Sequence, residues 1–410
     1  MHRKSGIENQ REAFNHDGPT QNGKETLKTL IQGGLVYDGG GESAQRVDVR
    51  IDERQILEIG SQLPVNDDVV FDAHDLIVAP GLIDLHVHVY DGTGIFSVSP
   101  ANAGLRTGVT TLLDTGSAGA LTYETFHNHV MPEAAEDIFA LLNISQVGAL
   151  GNHNRKPFFG ELHDLRYLDT AAAASCIEKH RDRLLGTKVR LTAGLADNQA
   201  AKEYAALHAV VTVAEQTGLP CMIHHGASHV PQSDMLGALR TGDIVTHMYH
   251  GRADNGFSGP NGAPSAAMQR AREQGILFDV GHGMGSFAWR VAEVACQQHD
   301  FWPDSISSDL HRMNIDGPVY NLTTTMTKFL HLGMSLEKVI QATTSAPAKA
   351  MGLDDQRGRL RQGMLPDITI LRLANESIEL VDVEQQARIA SQRLLPVTVF
   401  KQGRIVNCSA

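Results

Sequence analysis

The stretch GLIDLHVHVYDG (residues 81–92) sets two histidines, His86 and His88, one residue apart at the end of an apolar run. On a strand, alternation points both to the same side, roughly 6.6 Å apart along the chain, so both imidazoles can converge on one ion. The pair alone decides little, because two histidines on a strand are more often structural or exposed. Its meaning depends on what the rest of the chain builds around it.

From about residue 82 to 335, apolar strand-like runs alternate with helical patterns. The runs are LIDLHVH, VTTLLDT, IFALLNIS, TKVRLTA, LPCMIHH, DIVTHMYH, ILFDVG and DSISSDL. Segments such as AAKEYAALHAVVTVAEQTG and NLTTTMTKFLHLG, with an apolar stripe and a terminal Gly, read as helices between them. Eight such alternations over about 250 residues have the size and rhythm of a TIM (β/α)8 barrel in the α/β class. Outside this region the texture is β throughout, in LKTLIQGGLVYD and RVDVRIDERQILEIG before it, and in LPDITILRL, SIELVDV and PVTVFKQGRIVN after it. Chain ends usually lie close together in compact folds. We therefore expect a flexible tail over 1–25, a small β-sandwich domain from 26–80 plus 355–410, and a barrel over 81–354.

In such barrels chemistry sits at the C-terminal ends of the strands, around one shared opening. His86 and His88 end the first run, Lys188 lies in the fourth, His224 ends the fifth, His247 the sixth and Asp309 the eighth. Any one of these histidines alone is more simply a hydrogen-bonded core residue. Together they face one cavity, where unpaired polar groups are costly, and a structural role for all of them becomes improbable. Lys188 is the most informative single residue, since a lysine inside a barrel is either a paired cation or a neutral amine with a depressed pKa.

Composition narrows the alternatives. The 410 residues are 42% hydrophobic with a formal net charge of −12, which argues against surfaces that bind nucleic acid or anionic lipid. Cys176, Cys221, Cys296 and Cys408 form no CxxC pair, so neither a disulfide framework nor a cysteine metal site is indicated. The polar N-terminal stretch has no apolar signal region and no window is long enough for a membrane span, so a cytoplasmic protein acting on a small molecule is expected.

The elements APGLIDLHVH, GVTTLLDTGSAGA, GTKVR, CMIHHGAS, VTHMYHG, FDVGHGMGSF, SSDLH, ATTSAPAKAMGL and GRLRQGMLPDITIL together resemble the amidohydrolase superfamily, from about residue 26 to the C-terminus. The resemblance implies a binuclear zinc site. His86, His88 and Asp309 would hold one ion and His224 and His247 the other, with a carbamate on Lys188, derived from CO2, and a hydroxide bridging them. His225 would be a neighbour on the other face. Asp309 would act as general base and acid. The resemblance also implies a homo-oligomer.

DTGSAG, GHGMGSF and PVYNLTTTMTKFLHLGM resemble the deacetylase-type branch more than dihydroorotases or D-aminoacylases. Dihydroorotases usually carry an Arg two residues after the HxH pair to hold the substrate carboxylate, and this chain has Tyr90 there. The expected substrates are therefore small N-acyl or O-acyl α-substituted carboxylates, including acetylated mandelate-like compounds. The alternatives are ring opening of a cyclic amide, as in dihydroorotases and hydantoinases, and a non-catalytic scaffold, which six filled ligand positions disfavour. In GHGMGSF (281–287), His282 could bond a substrate carbonyl or carboxylate while glycines such as Gly283 let backbone N–H groups approach it. A Gly-rich turn explains the stretch equally well. The GxGxG spacing is only a weak nucleotide-binding signal. Asp114 and Ser117 read first as loop caps. Arg155, in the loop after the third run with Asn152 and His153, is a further candidate for a substrate carboxylate.

Overall fold

The computed structural model describes residues 27–149 and 160–408. Seven parallel strands form one curled sheet in chain order: β1 (Leu82–Val87), β2 (Val109–Gly119), β3 (Asp137–Asn143), β4 (Leu184–Leu191), β5 (Cys221–His225), β6 (Ile244–Thr246) and β7 (Leu277–Phe278). The eighth run, DSISSDL, forms no regular strand. It closes the barrel through isolated parallel bridges, Asp279 to Ser305 on one side and Val87 to Leu310 on the other. Its many serines turn hydroxyls onto buried carboxylates, described below, in place of a continuous ladder.

The helical readings hold where the caps are clear. Ala200–Thr217 ends at Gly218 in the left-handed region at φ 67°, and Leu322–His331 begins at Asn321, whose side chain accepts from Thr324 N–H. β1 to β5 read as continuous apolar runs because both faces are covered, one by helices and one by the barrel interior. Ile83, Leu85, Leu113, Phe139, Leu141, Met222 and Ile244 form a single buried cluster within this sheet.

The two ends of the chain share a six-stranded sheet, in which Ile368–Ala374 lies antiparallel between Ile77–Pro80 and Arg393–Lys401. A second, four-stranded sheet is built from Thr29–Gln32, Asp48–Ile51, Ile56–Gly60 and Val69–Asp72. SIELVDV does not join either sheet. It forms a hairpin, Ile378–Val381 with Ala387–Ala390, that packs on the barrel, where Trp289 Nε1 donates to Leu380 O and Lys328 Nζ to Val381 O. Among the described residues no helix is long and apolar enough to cross a membrane. All four cysteines are free.

Candidate metal centre and active site

His86 and His88 leave the end of β1 where its pairing with β2 shifts register, between Asp84 and Val87. Their Nε2 atoms lie 3.5 and 3.3 Å from Asp309 Oδ1. The ring of His247 stands 5.0 Å from that of His86 and 4.4 Å from that of His224. One donor atom each from His86, His247 and Asp309 lies within 4.8 Å of the other two, and all three residues are buried.

For His86, His224 and His247 the hydrogen bonds on the outer side of the ring fix where the proton sits. His247 Nδ1 is 2.6 Å from Gly281 O, an atom that can only accept, so the proton is on Nδ1 and the Nε2 lone pair is free. His86 Nδ1 is 2.9 Å from Thr246 Oγ1, which itself donates to Asp279 Oδ2 at 2.7 Å. The hydroxyl must therefore accept from His86, which again leaves Nε2 free. His88 Nδ1 lies 2.8 Å from Ser117 Oγ. In His224 the pattern is reversed, because Nε2 meets Thr192 Oγ1 at 3.3 Å while that hydroxyl donates to Gly226 O, so Nδ1 carries the lone pair.

Burial, reinforced by neighbouring cations and imidazoles, pushes His86 and His224 well below the usual imidazole range and His247 to about 3. These three rings are neutral at pH 7. Burial raises the Asp309 carboxyl, but His88, His311 and His247 together outweigh it and hold the group at about 2, ionised. Asp309 Oδ1 is nevertheless buried without a hydrogen-bond partner. A desolvated anionic oxygen in that state is costly unless something cationic meets it. Lys188 is buried and its amine is pulled down to about 7 by desolvation. Its Nζ lies 3.0 Å from Met222 Sδ and forms no ion pair among the described residues.

His247 and Asp309 both adopt left-handed backbone, at φ 69° and 48°, a conformation costing non-glycine residues about 1 kcal/mol or more. Asp309 is held there by its N–H on His86 O at 2.7 Å and by Asn314 Nδ2 on its carbonyl at 2.8 Å. Gly283 makes room for it, since a Cβ at 283 would stand 2.4 Å from Asp309 Oδ2.

The remaining candidates divide. His225 faces away, its Nε2 2.8 Å from Val230 O. Asp114 lies inside β2, not in a loop, and accepts from Val89 N–H just past β1 and from Ser117 N–H within β2. Tyr90 is turned into an apolar pocket, stacked on Phe126 with its hydroxyl donating to Thr122 O. His282 has both ring nitrogens engaged, Nε2 by Lys328 Nζ at 2.6 Å and Nδ1 by Gly283 O at 2.9 Å. The N–H groups of Gly281, His282 and Gly283 are spent on Ser307 Oγ, Ser307 O and Ser308 O. The glycine-rich stretch thus pairs with the closing segment of the barrel and offers those three donors to no ligand. Asn152, His153 and Arg155 lie outside the described residues.

Several buried groups around the site carried no individual signal in the sequence. Asp279 accepts from Ser305, Ser307 and Thr246, and Asp84, held at about 7 chiefly by desolvation, accepts from Ser308. Their clue is a carboxylate inside an apolar run, in LIDL and LFDV. His311, two residues past Asp309, packs against His88 and Phe96. Arg190, on the same face of β4 as Lys188, is paired with the buried Glu161.

Residues 186–407 match the amidohydrolase family. A deacetylase of Agrobacterium fabrum is 32% identical over 367 residues, covering 87% of this chain and 88% of that protein. The chain belongs to the amidohydrolase family and is a hydrolase. Among solved structures, an adenine deaminase superposes with a TM-score of 0.84 at 26% identity, covering 93% of this chain and 100% of the other. A dihydroorotase does so with 0.83 at 28% identity, over 93% and 99%. A His, His, Asp cluster able to hold a metal is in keeping with a family that is generally metal-dependent.

Proposed function

We propose that the protein is a binuclear zinc-dependent deacetylase of small N-acyl or O-acyl α-substituted carboxylates. The observation that carries this reading is the convergence of His86, His88 and His247 on a buried Asp309 oxygen with no hydrogen-bond donor among the described residues, with His86 and His247 turning their protons outward and His224 beside His247. The donor set fits a divalent cation: neutral imidazoles and an ionised carboxylate are ligands as they stand. His86, His88 and Asp309 would hold one ion, and His224 and His247 the second. Lys188 has no ion-pair partner among the described residues and is neutral in a large fraction of molecules at pH 7, so its amine could add to CO2 and, on losing a proton, give an anionic carbamate that would serve as a further ligand. Zinc suits this mixture of nitrogen and oxygen donors, although other divalent metals share such ligands.

Bound divalent ions supply water that ionises near neutral pH and polarise an acyl carbonyl. The protein's own part is proton handling. Asp309, ionised and beside the imidazoles, would accept the proton lost by the attacking water and deliver it to the departing amine or alcohol oxygen. Gly283, packed against its Oδ2, keeps that carboxylate free of steric contact with a side chain. The deacetylase relative supports acyl transfer to water, and Tyr90, turned away from the site, supplies no cation for a ring carboxylate. The likeness to a dihydroorotase structure favours a second reading, hydrolytic opening of a cyclic amide.

The test is acid release by zinc-reconstituted, bicarbonate-treated protein, comparing acetylated α-amino and α-hydroxy acids, acetylmandelate among them, with cyclic imides and ureides. Release from the acetylated carboxylates is expected, and ring opening alone would replace this reading with the second. In the same assay Asp309→Asn should lose on the order of 10²- to 10⁴-fold in kcat while keeping most of its metal. Near-normal turnover in that variant would remove Asp309 from the chemistry.

A further inference from the structure

We infer that Arg252, on the loop after β6, forms an anion subsite at the mouth of the barrel that takes the carboxylate of the substrate. The inference deepens the proposed function and rests on it for the identity of the ligand. Among the arginines around this opening, Arg190 is matched by Glu161 and Arg290 by Glu384, while Arg312, three residues past Asp309, is exposed and has no ion pair among the described residues. Arg252 is set apart by its seat on two glycines. It is exposed, it forms no ion pair among the described residues, and its guanidinium makes no hydrogen bond there.

Its position is nevertheless defined. A Cβ at Gly226 would stand 2.9 Å from Arg252 Nη1, and one at Gly285 would stand 3.4 Å from Nη2. The planar group therefore lies beside two glycines from different loops, closely at Gly226 and in ordinary contact at Gly285. Each seat leads directly to the candidate centre. Gly226 is two residues beyond His224, and Gly285 is two beyond Gly283, which abuts Asp309 Oδ2. Two residues span at most about 7 Å, so one small molecule can meet both the reacting end and the guanidinium.

The loop carrying Arg252 is fastened from behind. Arg290 donates to Gly251 O while paired to Glu384, on the turn of the 378–390 hairpin, and a Cβ at Gly251 would collide with that glutamate. A guanidinium fork with open donors, held on a braced loop, is suited to two-point recognition of a carboxylate. An acylated α-hydroxy or α-amino acid carries its carboxylate one heteroatom and one carbon from the acyl group, so a carboxylate of such a substrate lies close to the reacting carbonyl.

The test uses mandelate and mandelamide, which differ in charge, titrated into metal-loaded protein by calorimetry. The wild type should bind mandelate about tenfold to a hundredfold more tightly than mandelamide, as a charge-assisted contact provides. Arg252→Met should reduce that preference to about threefold or less with thermal midpoint and metal content unchanged, because the side chain is exposed and unpaired. Arg252→Lys should keep part of it. Gly226→Ala, which retains the charge but pushes the guanidinium off its seat, should also lose part of it. Equal affinity for both probes in the wild type, or an undiminished preference in Arg252→Met, would overturn the inference. If mandelate preference depends on Arg252 but acetylated carboxylates are not cleaved, the proposed function fails alone. If they are cleaved and Arg252 does not matter, the subsite fails alone.

Discussion

Lys188 and Lys401 are both buried, and they could hardly be treated more differently. Lys401 lies at the seam between the terminal sheet and the N-terminal end of β3, where its Nζ is 2.6 Å from both Asp137 Oδ2 and Asp367 Oδ2, with Arg357 adding a third link. Lys188 lies at the other end of the barrel with only a thioether against its amine. Each of these seam charges has an ion-pair partner, although Arg357 Nε is left without a hydrogen bond. Among the described residues the mouth leaves an amine without a carboxylate, a carboxylate oxygen and the lone pairs of His86, His224 and His247 without partners, which a fold selected only for stability would remove. An open buried atom alone does not mark the site, since His225 Nδ1 and Arg357 Nε are open too; what distinguishes the mouth is that open groups of complementary chemistry are gathered at one place, whereas partnered groups there and in the seam serve as scaffold.

Exchanging the two lysines' fates breaks this comparison most severely. Lys401→Met leaves Asp367 and part of Asp137 uncompensated in the seam, and a loss of about 3–5 kcal/mol in unfolding free energy is expected, read from urea melts. Activity per folded molecule should stay close to that of the parent. Lys188→Met should do the opposite, since it removes a buried amine whose pKa has fallen from 10.5 to about 7. The metal-free variant should be at least as stable as its parent, while metal uptake measured by atomic emission falls. Destabilisation by Lys188→Met comparable to that of Lys401→Met would mean that the amine has a structural partner after all.

The imidazoles sharpen the comparison through pH. His247 is held at about 3 against an ordinary value of 6.5, with desolvation the main cause. Between those values the unfolded chain binds a proton that the folded ring refuses, so stability is intact above about pH 6.5 and falls as pH drops through the window. His86 and His224, displaced in the same direction, act with it. For the metal-free protein, moving from pH 7.5 to 5.5 should cost about 1.4 kcal/mol for each such ring, seen as a lower urea midpoint. A midpoint that does not change would mean that the rings accept protons in the folded state.

Much of this site was legible before any coordinates, for a physical reason. Strand alternation and barrel topology bring residues 86, 88, 188, 224, 247 and 309 to one opening, and each requirement leaves a mark at a fixed place in an apolar run. The outer supports were not legible. Thr246, Ser117, Thr192 and the carboxylate of Asp279 act by orienting another side chain, and a hydroxyl at a strand end looks the same whether it orients a histidine or fills a turn. Arg252 escaped because its isolation from acids is a fact of loop packing. GHGMGSF was read for its glycines and its histidine, yet those three N–H groups are consumed in closing the barrel at DSISSDL, whose strand was expected to be regular.

Tyr90 supplies the finest test of the rule that partnered groups are scaffold. It occupies the position after HVH where a substrate-binding group was expected, but its hydroxyl donates to Thr122 O at 3.0 Å and its ring stacks on Phe126 at 4.7 Å. Tyr90→Phe removes one buried donor and leaves one carbonyl short of a partner, so a loss of about 1 kcal/mol in stability is expected. The ratio of kcat/KM between charged and neutral substrates should not move, because the ring is stacked on Phe126 and its hydroxyl is engaged by Thr122 O. A change in that ratio without a change in stability would put Tyr90 in contact with substrate, and the hydroxyl's bond to Thr122 would then have to break when substrate binds.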